Sequence, residues 1–176
     1  MTISGEIADA FVSGDLKAFE KVYTETFKTI YQLIYRMTGN RQDAEDITHD
    51  VYVRAYEKRA LYKKDRSALS TWIYRVAVNY TLNALRKKKR WNSASIVENG
   101  AAVEVLIENL DGMELVAQLL DKLNPDYKAC LVLREVEERP YQEIAAVLGI
   151  SIGTVRSRIS RGRDQLKKLF KEHSRR

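Results

Sequence analysis

The stretch Tyr141-Gln-Glu-Ile-Ala-Ala-Val-Leu-Gly149-Ile-Ser-Ile-Gly153-Thr-Val-Arg156-Ser-Arg158-Ile-Ser-Arg161-Gly-Arg163 reads as two short helices joined by a tight turn, the second studded with arginine. Ile144, Ala145 and Leu148 fall on one apolar stripe of the first helix, and Gly149 follows where a helix end takes up the left-handed conformation that glycine tolerates. Ser151 is placed to cap the second helix through its hydroxyl, and Val155, Ile159 and Leu166 recur at helical spacing as its buried side. At about 100° per residue, Arg156, Ser157, Ser160 and Arg161 share a different face, so the exposed side carries donors rather than carboxylates. Such donors suit phosphates and guanine edges in a DNA major groove, and the pattern predicts a helix-turn-helix. A solvated basic helix would need neither the small-residue turn nor the short helix before it.

The rest of the chain decides what kind of DNA binder this is. Its 176 residues, 45% of them hydrophobic, allow one or two domains with real cores. The formal net charge of +6 favours a polyanionic partner, and the location of the charge says more than its sum. Arg86-Lys-Lys-Lys-Arg90 is followed, from Asn92 to Asp121, by Glu98, Glu104, Glu108, Asp111, Glu114 and Asp121 with no Lys or Arg. Beyond Gly153 the balance is again strongly basic, so the chain reads basic, acidic, basic. Two cationic ends could hold separate parts of one nucleic acid, with a segment between them that the polymer repels.

Cys130 is the single cysteine, which excludes a disulfide within the chain and fits a reducing cytoplasm. Beside Leu131 and Leu133 it reads as an inert core thiol. No apolar run approaches the roughly 18 residues that span a membrane, and the N-terminus lacks a signal-peptide pattern, so a soluble, cytoplasmic protein without membrane insertion is expected. With prolines only at 125 and 140, the chain is compatible with helix almost throughout.

Along the N-terminal half, Leu16, Phe19, Val22, Tyr23, Phe27, Ile30, Ile34 and Met37 keep a helical period that stops at Gly39, predicting one long helix or two in close succession. Asn40 can cap the next helix, whose apolar stripe is Ala44, Ile47, Val51 and Ala55. Asp43, Asp46 and Asp50 repeat on another face, and an acidic stripe of this kind, taken alone, is most simply a solvated face. A loop rich in basic residues, Lys58 to Ser70, leads to a third strong helix marked by Trp72, Ile73, Val76, Ala77, Tyr80 and Leu85, with an end expected near Trp91.

Three of these segments, Gly14-Asp-Leu-Lys-Ala-Phe-Glu20, Asp43-Ala-Glu-Asp-Ile-Thr-His-Asp-Val51 and Thr71-Trp-Ile-Tyr-Arg-Val-Ala-Val-Asn79, resemble successive parts of the promoter-melting domain of small bacterial sigma factors. Leu123 to Leu169 resembles their second domain, which carries the helix-turn-helix. The likeness spans nearly the whole chain in the right order, and with room for only two globular domains it points to the extracytoplasmic-function group. The chain departs from that group's pattern at His49 (usually Gln), Tyr52 (commonly Phe), Asn83 (frequently Asp) and Pro140 (usually Ser or Thr), the last a residue that suits a first helical turn.

The resemblance implies an all-α fold of two small helical domains joined by an acidic flexible linker. Residues 1–92 would dock on core polymerase and melt the minus-ten element, 93–112 would form the linker, and 113–176 would be the helix-turn-helix domain that reads the minus-thirty-five element. It implies that Asp43, Asp46, His49 and Asp50 meet the clamp helices of the polymerase largest subunit, where charge complementarity speeds encounter and fixes register. The loop from Lys58 to Ser70, with Arg66, and the helix after it would capture unpaired minus-ten bases. Trp72 and Tyr74 would line or brace the pocket, unless the tryptophan is simply core. Arg75 and Asn79 would offer polar contacts, and Arg86 to Arg90 would clamp phosphates. Arg156, Ser157, Arg158, Ser160 and Arg161 are the expected minus-thirty-five contacts. Core polymerase, promoter DNA and, commonly in the family, an anti-sigma factor are the implied partners.

Two other classes are weighed against this. Asp46 and His49 have the i, i+3 spacing of paired metal ligands, but the other histidine is His173 in the charged tail, and no phosphate loop, Cys-x-x-Cys pair or Gly-x-Ser-x-Gly elbow is present, so no enzyme, metal or cofactor is expected. A helix-turn-helix regulator that does not join the polymerase would fit the C-terminal domain but gives the N-terminal motifs no task.

Overall fold

The computed structural model describes residues 3–98 and 112–174, and every regular element among them is a helix. The contacts divide the chain into two compact units, Met1–Thr81 and Leu82–Arg176.

In the first unit, α1 (Gly5–Ser13) and α2 (Leu16–Thr38) are joined by Gly14 at φ 93, and Asp15 caps α2 by accepting from the Ala18 amide at 2.8 Å. The long period from Leu16 to Met37 is therefore one helix. It ends on Gly39 in the left-handed region, and Asn40 caps α3 (Arg41–Glu57) through the Asp43 amide at 2.9 Å, both as the sequence predicts. The hairpin of α2 on α3 buries Val22, Ile30, Leu33, Ile34 and Met37 against Ala44, Val51 and Ala55. Phe19, Tyr23 and Phe27 lie beside this core and are half-buried. They form a ladder with Tyr52 and Tyr56 in which Tyr23 and Tyr52 stand 4.6 Å apart and Phe19 meets Tyr56 edge-on at 5.2 Å. Buried Thr26, Thr48 and Thr81 each donate to the carbonyl four residues back, so none leaves a hydroxyl stranded in the core.

After one 3-10 turn (Arg59–Leu61), α4 (Leu69–Glu98) buries Leu69, Ile73, Tyr74, Ala77 and Val78, while Trp72, Val76 and Tyr80 flank that face. The helix does not end near Trp91 but runs seven residues further, to Glu98. Basic residues favour a helix C-terminus, but Asn92-Ser-Ala-Ser offers no glycine or proline to stop it. Residues 93–98 of the expected linker are thus helical, Gly112 begins α5 (Gly112–Asp121), and residues 99–111 lie outside the described residues.

In the second unit, α5 leads to α6 (Pro125–Leu131), capped by Asn124 with Pro125 in its first turn. A π-helical segment (Val132–Val136) follows, and the chain then turns through Glu138 at φ 54. The helix-turn-helix is α7 (Tyr141–Leu148) and α8 (Ile152–His173). Pro140 occupies the N-cap of α7 rather than its first turn. Leu119, Leu123, Cys130, Leu133, Ile144, Val155 and Ile159 make the core. Burial pushes the Cys130 thiol up to about 11, which leaves it protonated and unreactive at neutral pH. Lys128, only 4% exposed, is neutralised by Asp121 at 2.5 Å.

The expected buried side of α8 needs one correction. Val155 and Ile159 are buried, but Leu166 is half-exposed and Gly162 takes the intervening core position. A Cβ at Gly162 would come within 2.9 Å of Leu131 Cδ1 and 3.2 Å of Tyr127 Cβ, so α6 and α8 cross at this glycine. Gly162→Ala gains about 1 kcal/mol of helix propensity but sets its Cβ against Leu131 Cδ1, Leu131 Cγ and Tyr127 Cβ, of which only the first can swing away, so it should not exceed wild-type stability. Gly162→Leu should lose about 1–3 kcal/mol by overpacking, measured by urea unfolding. Wild-type stability of the leucine variant would show that the crossing is loose.

Candidate nucleic-acid interface

Helix α8 follows its N-cap Ser151, whose Oγ accepts from the Thr154 amide at 3.1 Å. Gly149 at φ 66 delivers the chain to that cap. With Val155, Ile159 and Gly162 buried, Arg156, Ser157, Ser160 and Arg161 are exposed together. The Ser157 hydroxyl is turned back onto the Thr154 carbonyl at 2.9 Å, which leaves its oxygen as an outward acceptor. Arg158 lies elsewhere. It points toward α6, its side chain is 22% exposed, and it pairs with Asp126 at 3.0 Å. Arg163 is likewise tied, to Glu135 at 2.5 Å. The arginine run thus separates into residues that present a cation outward and Arg158, which holds the helix to α6, while the exposed Arg163 pair contributes little to that hold.

On α4, Trp72, Arg75 and Asn79 follow at i, i+3 and i+7, and Asn83, Arg86 and Arg90 continue the same period. Trp72 is half-buried, neither core nor free, and meets the Tyr62 ring edge-on at 5.9 Å. Tyr74 is buried and cannot line an open pocket without movement. Arg75 and Arg66 are exposed, whereas the Asn79 amide donates to the Arg75 carbonyl at 2.8 Å. Arg86 makes two contacts inside the second unit, to Asn83 Oδ1 at 3.2 Å and to Asp126 at 2.5 Å, while Arg90 is exposed. Asp126 therefore gathers Arg86 and Arg158, and a partner 32 or 40 residues away leaves no spacing signal in the sequence.

On α3, Asp46 and His49 are exposed and Asp43 sits in the first turn. Asp50 is exposed as well but accepts from the Tyr80 hydroxyl at 2.8 Å, a bond that pushes the Tyr80 pKa up. The Arg54 guanidinium lies 5.5 Å above that ring, so this end of the acidic stripe is fastened to α4. Tyr52, one of the departures, pairs its hydroxyl with Thr26 Oγ1 at 2.7 Å in the seam of α2 and α3. Its extra oxygen is absorbed internally.

The local geometry has close relatives. Residues 22–91 match the family described as Sigma-70 region 2, and residues 113–166 match Sigma-70, region 4. The chain is 34% identical over 173 residues to the ECF RNA polymerase sigma factor SigW of Bacillus subtilis, covering 90% of this chain and 92% of that protein. It is 31% identical to the ECF RNA polymerase sigma-E factor of Escherichia coli, with 87% and 86% covered. Among solved structures it is similar to CnrH in complex with the cytosolic domain of CnrY (TM-score 0.65, 25% identity, 94% of this chain and 96% of that one). The sigma factor RpoE of Bartonella quintana, bound to the anti-sigma factor NepR, shares the fold at TM-score 0.64 and 24% identity, with 88% and 98% covered. With both regions matched in order and relatives aligned along nearly their full length, the chain belongs to the sigma-70 family, in the ECF group of RNA polymerase sigma factors.

Proposed function

We propose that the chain binds core RNA polymerase and directs initiation at promoters defined by a minus-ten and a minus-thirty-five element. The observation that carries this is the union, in one chain and in family order, of a region 2 match with a helix-turn-helix whose recognition face exposes Arg156, Ser160 and Arg161. A regulator that stays off the polymerase leaves the match over residues 22–91 without a role. The work is binding and strand separation and requires no reaction of the protein's own. Its setting is the cytoplasm, where promoter and polymerase are, and none of the described helices is long and apolar enough to cross a membrane.

We assign polymerase docking to Asp46 and His49, with Asp43 and Asp50 flanking them, and minus-ten capture to Arg66, Trp72, Arg75 and Asn79 within residues 1–92. Arg90 supplies a phosphate contact while Arg86, expected beside it, is held by Asp126 and braces α4 on α6; residues 93–112 connect, and 113–176 read the minus-thirty-five element. Arg158 holds α8 to α6 from behind the reading face. An anti-sigma factor would hold the factor inactive by covering these surfaces, as suits a family with a member solved in such a complex. Co-elution with bacterial core polymerase in gel filtration tests the assignment to the transcription machinery, and failure to co-elute would refute it.

The reading face makes a finer prediction. Arg156→Ala or Arg161→Ala should cost about 1–3 kcal/mol on a minus-thirty-five duplex and relax the preference at one base pair, as expected for a lost bidentate contact to guanine. Lys167→Ala with Lys168→Ala should weaken all sequences alike and flatten the salt dependence. A panel of single-base variants at two salt concentrations separates the cases. Uniform losses for both arginines would mean that the helix is held on the backbone and the sequence is read through DNA shape.

A further inference from the structure

The loop between the 3-10 turn and α4 has a polar tip. Lys63, Lys64, Asp65 and Arg66 are exposed, and the turn they make is closed by the Arg66 amide donating to the Lys63 carbonyl at 3.0 Å. A tip of this composition has no apolar side chain of its own to order it. Order comes from Tyr62, at the base of the loop and buried. Its hydroxyl crosses the base and donates to the Ser67 carbonyl at 3.0 Å, so the chain is pinned on both sides of the turn. The same ring packs edge-on against Trp72 at 5.9 Å and 61°. One side chain therefore sets both the loop and the aromatic at the start of α4. From outside, Lys64 ties the tip to Asp9 of α1 at 2.7 Å, but this pair is exposed on both sides and contributes little.

We propose that Tyr62 is a positioning residue for minus-ten recognition, latching the loop in its base-receiving shape and setting the Trp72 ring beside it. This deepens the assignment of the loop to minus-ten capture and rests on it. A strand that meets a preformed loop does not have to order it on binding, and that saving appears as affinity and as discrimination between bases. Burial raises the Tyr62 phenol, which keeps it protonated and able to donate at any physiological pH. Nothing in the position requires Tyr62 to touch DNA: it acts through the Ser67 carbonyl and Trp72.

The test uses holoenzyme reconstituted with core polymerase and a fluorescein-labelled, single-stranded DNA library of random sequence, whose bound strands are sequenced. Tyr62→Phe keeps the ring and removes the latch. It should bind the strands preferred by wild type roughly 3- to 10-fold more weakly, the range of one net hydrogen bond, and show reduced enrichment of the preferred base. Its melting temperature should fall by no more than the few degrees that one hydrogen bond is worth, and its binding to a minus-thirty-five duplex should match wild type, which a general loss of structure would not allow. Unchanged affinity and enrichment in Tyr62→Phe would overturn the proposal. Arg66→Ala and Asn79→Ala identify what has failed: if they weaken strand binding while Tyr62→Phe does not, the latch alone is wrong. If they too leave it unchanged, the loop is not the minus-ten reader and the underlying assignment falls with the latch.

Discussion

Replacing Phe11 by alanine is expected to destabilise the first unit by about 3–5 kcal/mol, the usual cost of emptying an aromatic site in a core. Phe11 is completely buried, stacks on Phe19 and meets Tyr56 edge-on, each at 6.3 Å between ring centres. It is the one large core residue of α1, where Ala8 is the other buried position. Helix α1 also carries Asp9, the partner of Lys64 at the loop tip. That exposed ion pair is worth at most about 1 kcal/mol, so α1 is held by its phenylalanine and not by the charge it presents. Urea unfolding followed by circular dichroism should show a lower midpoint with an unchanged slope. A loss below about 1 kcal/mol would mean that α1 is not part of the cooperative core.

Reversing the charge at Asp46 should have a comparably large effect on association and almost none on folding. Asp46 is exposed on α3, whereas Asp50 is engaged with Tyr80, so Asp46→Lys alters the acidic stripe without breaking the α3 to α4 tie. Like charge placed against a basic partner surface costs several kcal/mol. Affinity for core polymerase should fall by about 100-fold, equivalent to about 2.7 kcal/mol, with helix content unchanged. Unaltered affinity in a fluorescence titration would remove α3 from the docking surface.

The features legible in the sequence are those with a local chemical cause. Gly39 with Asn40, and Gly149 with Ser151, announce helix boundaries because left-handed glycine and side-chain caps act within three residues of the break, and both pairs of boundaries are where the sequence puts them. Gly162 was hidden because an apolar count passes over glycine, although its missing side chain is what lets α6 approach α8. Helix α1 spans nine residues, with Ile7, Phe11 and Val12 its large apolar side chains, too short a stretch for a helical period to repeat. In the candidate interface, exposure of Arg156, Ser157, Ser160 and Arg161 follows from helical angle alone. The diversion of Arg158 and Arg86 to Asp126, and the tying of Asp50 to Tyr80, are tertiary pairings between distant residues that residue type and spacing could not reveal.

The most direct test of promoter-directed initiation is run-off transcription on a genomic fragment library by bacterial core polymerase, with and without the chain. Discrete transcripts should appear only when the chain is added, their start sites should share a minus-ten and a minus-thirty-five motif, and Arg156→Ala with Arg161→Ala should weaken selection of the upstream motif. A chain that binds duplex DNA but yields no transcripts beyond those of core enzyme alone would contradict the account.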